Sequence, residues 1–156
     1  MPQILPFVTS IALSLVLVHG AAVAQAWTKY VDRALQFTMN FPAMPRVEHG
    51  VYNSAQGRAL PAQIFSVQDG TAHYKLTVVD FSQHQSLEDG SASHAAETLM
   101  RRGEGRYNRH AYMVGLPGHE LSLTEANGRR LQATIYLFEH RLYIAEGSDI
   151  SEAPLP

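Results

Sequence analysis

Several segments of the chain alternate between apolar and polar residues, with the two-residue period of a half-buried β-strand. Arg129–Phe138 shows this most clearly: Leu131, Ala133, Ile135 and Leu137 face one way, and Arg130, Gln132, Thr134 and Tyr136 face the other. Ala72–Phe81 has the same pattern over a similar length. The alternation predicts a sheet with one buried face and one wetter face.

Turn-forming residues divide the rest of the chain into further short strands. The other predicted strands are Phe37–Phe41, Arg46–Tyr52, Leu60–Val67, Tyr107–Val114, His119–Ala126 and Arg141–Ala145. Asp69-Gly70 and Asn127-Gly128 are hairpin signals. Pro42 ends the first of these strands, and we expect Arg46–Tyr52 to return as its hairpin partner. Pro61 cannot donate to a ladder, which favours an edge position at the start of its strand.

One segment has helical periodicity, and it extends from about Leu87 to Arg102. Ala92, Ala95, Ala96, Leu99 and Met100 recur at helical spacing and form one narrow apolar stripe. Ser86 is the predicted N-cap, with Asp89 three residues later as in a capping box. Gly103 can supply a left-handed C-terminal turn. The fold class predicted from these elements is α+β, a mainly antiparallel sheet of about six to eight strands with one main helix packed on one face.

The first 26 residues contain no Asp, Glu, Lys or Arg and include the apolar run from Ile11 to Val18. Ala24-Gln25-Ala26 then places small residues at the two positions that a signal peptidase reads. We expect residues 1–26 to be a signal peptide cleaved after Ala26, leaving 27–156 as a single domain in the periplasm or secreted. The apolar run is shorter than the roughly 20 residues that a spanning helix needs, so no transmembrane segment is expected in the mature chain.

Composition excludes several classes of function. The formal net charge of −2 argues against nucleic acid as a partner, because nucleic-acid binders carry a clustered basic surface. The chain has no cysteine, so disulfides, thiol catalysis and thiolate metal sites are excluded together. No cofactor-binding motif is present, and we expect no cofactor.

The order of the predicted elements resembles a known family. A strand ending in Phe41-Pro42 is followed by further strands, one helix, the turn Gly115-Leu116-Pro117-Gly118-His119-Glu120 and a closing strand with Arg141-Leu142-Tyr143. This order is similar to the PsbP-like α/β/α-sandwich superfamily of small exported bacterial proteins, which includes DcrB-like proteins. The resemblance implies an accessory or binding protein. It also implies a further closing strand or a C-terminal helix. Residues 151–156 cannot form that helix, so we expect either a shorter domain or a truncated sequence.

Histidine is the obvious candidate for chemistry. The histidines beyond residue 26 are His49, His73, His84, His94, His110, His119 and His140. No His-Glu-x-x-His occurs and no two histidines lie four apart on the helix, so no metal ligand is assigned. A site of histidines on neighbouring strands stays open as an alternative. No Gly-x-Ser-x-Gly occurs either, which leaves a hydrolase as the weaker possibility.

Tyrosines in the predicted strands suggest a binding surface. Tyr136 lies opposite the apolar face of its strand, on the same side as Arg130. If Tyr112 and His110 share that side, the four residues form a shallow aromatic and polar surface of the kind that binds a flat ligand or a peptide. The sequence therefore predicts an exported, non-enzymatic accessory or binding domain whose partner is an envelope protein or a small ligand.

Overall fold

A computed structural model describes residues 27–113 and 115–150. The expected signal peptide, residues 1–26, and the end of the chain, 151–156, lie outside the described residues. The strands are β1 (Thr28–Asp32), β2 (Phe37–Phe41), β3 (Arg46–Asn53), β4 (Ala59–Asp69), β5 (Ala72–Asp80), β6 (Gly103–Met113), β7 (Leu116–Glu125), β8 (Arg130–Phe138) and β9 (Arg141–Asp149). A 3-10 helix covers Gln85–Leu87, and the helix α1 covers Ser91–Met100.

The predicted α+β class with one main helix is wrong. Strands make up 61% of the structure and helix only 11%, and α1 is a single short helix of ten residues among those described. The helix begins at Ser91 instead of Leu87 because Gly90, with φ of 73°, takes the left-handed conformation and serves as its N-cap. Ser86 lies inside the 3-10 turn and does not cap α1. The fold is therefore mainly antiparallel β.

Seven strands form one antiparallel sheet in the order β3-β4-β5-β9-β8-β7-β6. Three hairpins continue from β6 to β9, and β9 then pairs with β5 to join the two halves of the chain. Pro61 pairs with Val51 of the edge strand β3, one position beyond the start of the β4–β5 ladder. Because Pro61 lies outside that ladder, its lack of an N–H group costs no hydrogen bond to β5.

The opening hairpin differs from the prediction. β2 pairs with β1, from Thr28 opposite Phe41 to Asp32 opposite Phe37, and β3 pairs with β4. Asp32 Oδ1 accepts a hydrogen bond of 2.9 Å from the backbone N–H of Leu35 and so stabilises the turn. The β1–β2 hairpin packs on the large sheet as a second, two-stranded layer.

Each face of the large sheet has its own apolar core. On one face Ala95, Ala96 and Leu99 of α1 join a buried cluster that includes Leu121 and Ile135. The β1–β2 hairpin covers part of the other face. The buried members of that second cluster are Leu35, Phe41, Phe65, Val67, Ala72, Tyr74, Leu76 and Val78.

Candidate functional site

A groove lies where the β1–β2 hairpin stops short of covering the sheet. Its volume is about 350 Å³. The residues that line this hairpin groove are Gln36, Phe37, Thr38, Met39, Leu76, Leu116, Thr134, Tyr136, Phe138, Tyr143 and Ala145. They come from β2 and its turn on one side and from β5, β9, β8 and β7 on the other. The groove exists because the hairpin packs over the β4–β5 half and leaves β8 partly open.

Aromatic packing positions the hairpin that forms one wall. The ring centroid of Tyr30 lies 5.9 Å from that of Phe37 and 5.6 Å from that of Phe65 in the sheet beneath. Phe37 and Phe65 meet edge to face at 5.0 Å. Such pairs contribute about 0.5–1.5 kcal/mol each beyond the area that they bury. The hairpin is thus attached to the sheet by side chains that are part of the core.

Two hydrogen bonds attach the hairpin turn to β9 at the end of the groove. Tyr143 donates its hydroxyl to the backbone carbonyl of Leu35 at 2.8 Å, and Arg141 Nη1 donates to Gln36 Oε1 at 2.6 Å. Burial raises the pKa of the Tyr143 phenol above its usual value of 10.0, so the donor stays protonated at neutral pH. The turn is therefore fixed over the groove.

The lining is almost entirely apolar. No Asp, Glu, Lys, Arg or His is present among the described residues that line the groove. The polar groups are the hydroxyls of Thr38, Thr134 and Tyr136 and the side-chain amide of Gln36, together with the bonded Tyr143. Such a surface can bind an uncharged molecule and orient it by hydrogen bonds, but it offers no charged acid, base or metal ligand.

A second cavity continues from the first. It has a volume of about 260 Å³ and shares Met39, Thr134 and Ala145 with the hairpin groove. Trp27 lies in its wall, edge to face with Tyr74 at a centroid distance of 4.9 Å. This end is more polar, since Gln132 and the side of Glu120 also line it. The two cavities together form one elongated depression.

The four residues suggested as a surface do not come together. Tyr136 lines the hairpin groove. His110 pairs with His119 on β7, and His119 pairs with Ile135 on β8. Ile135 belongs to the core under α1, so His110 also lies on the α1 side of the sheet. Arg130 lies at the opposite end of β8, about 20 Å from Tyr136 along an extended strand. The side chain of Tyr112 lies outside the described residues, and its backbone pairs with Pro117.

The groove residues that the sequence did not identify as a site come from the hairpin, from β8 and from β9. Phe37 and Met39 were recognised as strand residues, but not as walls of a site, because their strand was paired with the wrong neighbour. Phe138 is 39% exposed at the end of β8, and an exposed aromatic residue at a strand end was the available signal.

Four of the histidines lie close to another histidine or to a hydrogen-bonding partner. His110 and His119 lie directly opposite each other on β6 and β7, with ring centroids 4.8 Å apart. His140 Nδ1 is 2.8 Å from Glu88 Oε2. His94 Nε2 is 3.2 Å from the carbonyl of Asn53. No group of three or more metal-ligating His, Cys, Asp or Glu side chains occurs in the described part of the chain.

Ser93 and His119 have the separation of a nucleophile and a base. Ser93 Oγ lies 3.1 Å from His119 Nε2. Burial and the neighbouring His110 lower the pKa of His119 below its usual 6.5, so the ring is neutral at pH 7. Ser93 is nevertheless on the exposed side of α1, and neither residue lines the hairpin groove. A hydrolase needs a substrate cleft, but neither residue lines the second cavity or the polar cavity at the far end of the sheet.

A polar cavity of about 290 Å³ lies at the far end of the sheet, with His73, Arg102, Glu125 and Arg129 in its wall. Glu146, only 7% exposed, is paired with Lys75 and Arg102 at 2.6 Å each. Arg102 also contacts Glu125 at 2.6 Å. The two cations neutralise the carboxylate of Glu146, and a buried carboxylate is tolerated only when it is paired in this way.

Comparison with protein-family models, curated protein sequences and solved structures finds no match for this chain. The resemblance to PsbP-like proteins therefore stays a prediction. Among the described residues no helix has the length and apolar character needed to cross a membrane, as expected from the sequence.

Proposed function

We propose that this protein is an exported, non-enzymatic binding domain that takes a small, uncharged, mainly apolar ligand in the hairpin groove. The observation that carries the proposal is the lining: a groove of about 350 Å³ whose described wall residues are aromatic, aliphatic or hydroxyl-bearing and carry no charge. An ionic ligand would lose its hydration there without gaining a counter-charge.

The size of the groove narrows the ligand class. Ligand sites typically have volumes of about 300–1,000 Å³, so this groove is at the small end of the range. A ligand that buries about 200 Å² of apolar surface gains about 5 kcal/mol. A one- or two-ring aromatic compound or a short acyl chain, with one polar group for Thr134 or Tyr136, matches this groove.

Two further observations support the proposal. The only titratable side chains in the described lining are the phenols of Tyr136 and Tyr143, which suit binding better than catalysis. The charge-free residues 1–26 and the Ala24-Gln25-Ala26 sequence favour export to the periplasm or the medium.

A fluorescence titration tests the proposal with N-phenyl-1-naphthylamine, an uncharged probe of one phenyl and one naphthyl group that brightens in apolar sites. The variant Thr134→Phe fills the groove from β8. Thr124→Phe is the matched control, because Thr124 is also half-buried in a strand but does not line either cavity described above. We expect the wild type and the control to bind alike, and Thr134→Phe to bind at least about tenfold more weakly.

Circular dichroism and a thermal melt establish that both variants are folded before they are compared. Wild-type protein that does not brighten the probe up to about 100 μM, or equal binding by Thr134→Phe, overturns the proposal. The proposal is also overturned, in favour of a protein partner, if the wild type does not bind the probe but an envelope protein binds the wild type and Thr134→Phe equally.

A further inference from the structure

We propose that His110 and His119 together bind one divalent transition-metal ion, copper(II) most tightly, on the α1 side of β6 and β7. The two residues are directly opposite each other in the antiparallel ladder, and their ring centroids lie 4.8 Å apart. This site is on the other face of the sheet from the hairpin groove, so it does not depend on the function proposed above.

The spacing of the rings matches a shared ion. An imidazole nitrogen binds zinc or copper at about 2.0–2.1 Å, which places the centroids of two rings on one ion about 4.5–5.2 Å apart for square-planar to tetrahedral angles. The observed 4.8 Å lies inside that interval. The backbone ladder between β6 and β7 fixes the separation of the two side chains before any ion arrives.

The two histidines have complementary surroundings. His119 is 9% exposed, and Ser93 Oγ lies 3.1 Å from its Nε2, so its ring is held in one orientation from α1. Histidine ligands in metal sites are commonly oriented by a hydrogen-bonding partner of this kind. His110 is exposed, which gives an ion from solvent access to the pair and leaves room for water ligands.

The ligand set determines which metal binds best. Two neutral imidazoles and water favour borderline metals over Mg²⁺ or Ca²⁺, which prefer oxygen ligands. Among divalent first-row ions with the same ligands, copper(II) binds most tightly. The affinity order expected for this site is therefore copper(II) above zinc(II), with no measurable magnesium binding.

Isothermal titration with copper(II) chloride, in the presence of glycine as a weak competitor, tests the site on protein purified without a histidine tag. The variants are His110→Gln and His119→Gln. His49→Gln, on the exposed edge strand β3, is the matched control. We expect one equivalent of copper in wild type and control, and at least about tenfold weaker binding in each of the two variants.

Electron paramagnetic resonance of the bound copper(II) distinguishes the pair from scattered surface histidines. The splitting of the copper signal by its ligand nitrogens shows whether two nitrogens bind the ion. Loss of the two-nitrogen splitting in His110→Gln, an exposed substitution that spares the core, supports the site even if His119→Gln fails to fold. Copper binding that is equally tight in His110→Gln and in the wild type overturns the proposal. A wild-type spectrum with a single nitrogen ligand overturns it as well.

Discussion

His73 lies among cationic side chains, and this position affects how the protein responds to acid. Burial lowers the pKa of His73 below its usual 6.5, and the charges of Lys75, Arg129 and Arg102 lower it further, against the opposite effect of Glu146. Glu125 also faces the same polar cavity. In the folded protein the imidazole therefore stays neutral to a lower pH than in the unfolded chain.

The expected consequence is a loss of stability as the pH falls below 6.5. In that range the unfolded chain binds a proton at His73 that the folded protein does not bind, so the free energy of unfolding decreases with decreasing pH. His73→Gln removes this contribution. Urea unfolding at about pH 7.5 and about pH 5.5 should show a smaller decrease for His73→Gln than for wild type. A decrease of equal size in both, with exposed His49→Gln as the control, contradicts the assignment.

At the same scale, individual residues show how far the sequence could predict a site. The alternation of β8 correctly separated Tyr136 from Ile135, because side chains on one strand alternate by geometry alone. It could not place His110 relative to Tyr136, since that requires the register of β6 and β7 against β8. A shift of one residue in either ladder exchanges the two faces.

At the scale of elements, the turn between β8 and β9 carries backbone strain. Glu139 and His140 both have positive φ, 45° and 63°. Two-residue hairpin turns with this geometry favour Asn-Gly, because other residues place Cβ against the backbone. The predicted strands Arg129–Phe138 and Arg141–Ala145 leave two residues for this turn, but the sequence carries no sign of its handedness.

Glu139→Asn should therefore stabilise the protein by about 0.5–1 kcal/mol, since asparagine adopts the left-handed conformation more readily. Glu139→Gln is the matched control: it removes the same charge and keeps the unfavourable preference. Urea unfolding at neutral pH measures both variants. Equal stabilisation by Gln and Asn would assign the effect to charge and contradict the role of backbone strain.

The element that the sequence predicted least well was the β1–β2 hairpin. Thr28–Asp32 has little apolar alternation, and only Tyr30 and Asp32 are partly buried. Phe37–Phe41 was therefore paired with the following strand and not with the preceding one. The structure resolves this through the contact of Tyr30 with Phe65, which lies on the distant strand β4. The hairpin groove could not be predicted for the same reason.

At the scale of the whole molecule, cleavage after Ala26 is expected to leave Trp27 as the first residue of the mature chain. Trp27 packs edge to face on Tyr74, so the start of the domain is attached to the sheet. Cleavage itself is still a prediction from the sequence.

Expression of the full chain in a bacterium with export should yield a periplasmic protein whose first residue is Trp27, as read by N-terminal sequencing. Ala26→Leu should block cleavage, because signal peptidase requires a small residue at the last position of the leader. Gln25→Leu, at a position that the peptidase does not read, is the matched control. Retention of Met1 in wild-type protein from the periplasm contradicts the assignment.

The sequence by itself determined the two-residue periodicity of the main strands, the Asn127-Gly128 hairpin and the absence of charge from the first 26 residues, because each depends on neighbouring residues alone. Tertiary structure decided the rest. It joined β5 to β9 and placed β1–β2 as a second layer. It also limited the helix to one short element, so the fold is mainly β and not α+β. It also formed the groove beside Tyr136 and brought His110 next to His119. These features depend on pairing between distant segments, which is selected by the burial of both sheet faces and not by any local pattern.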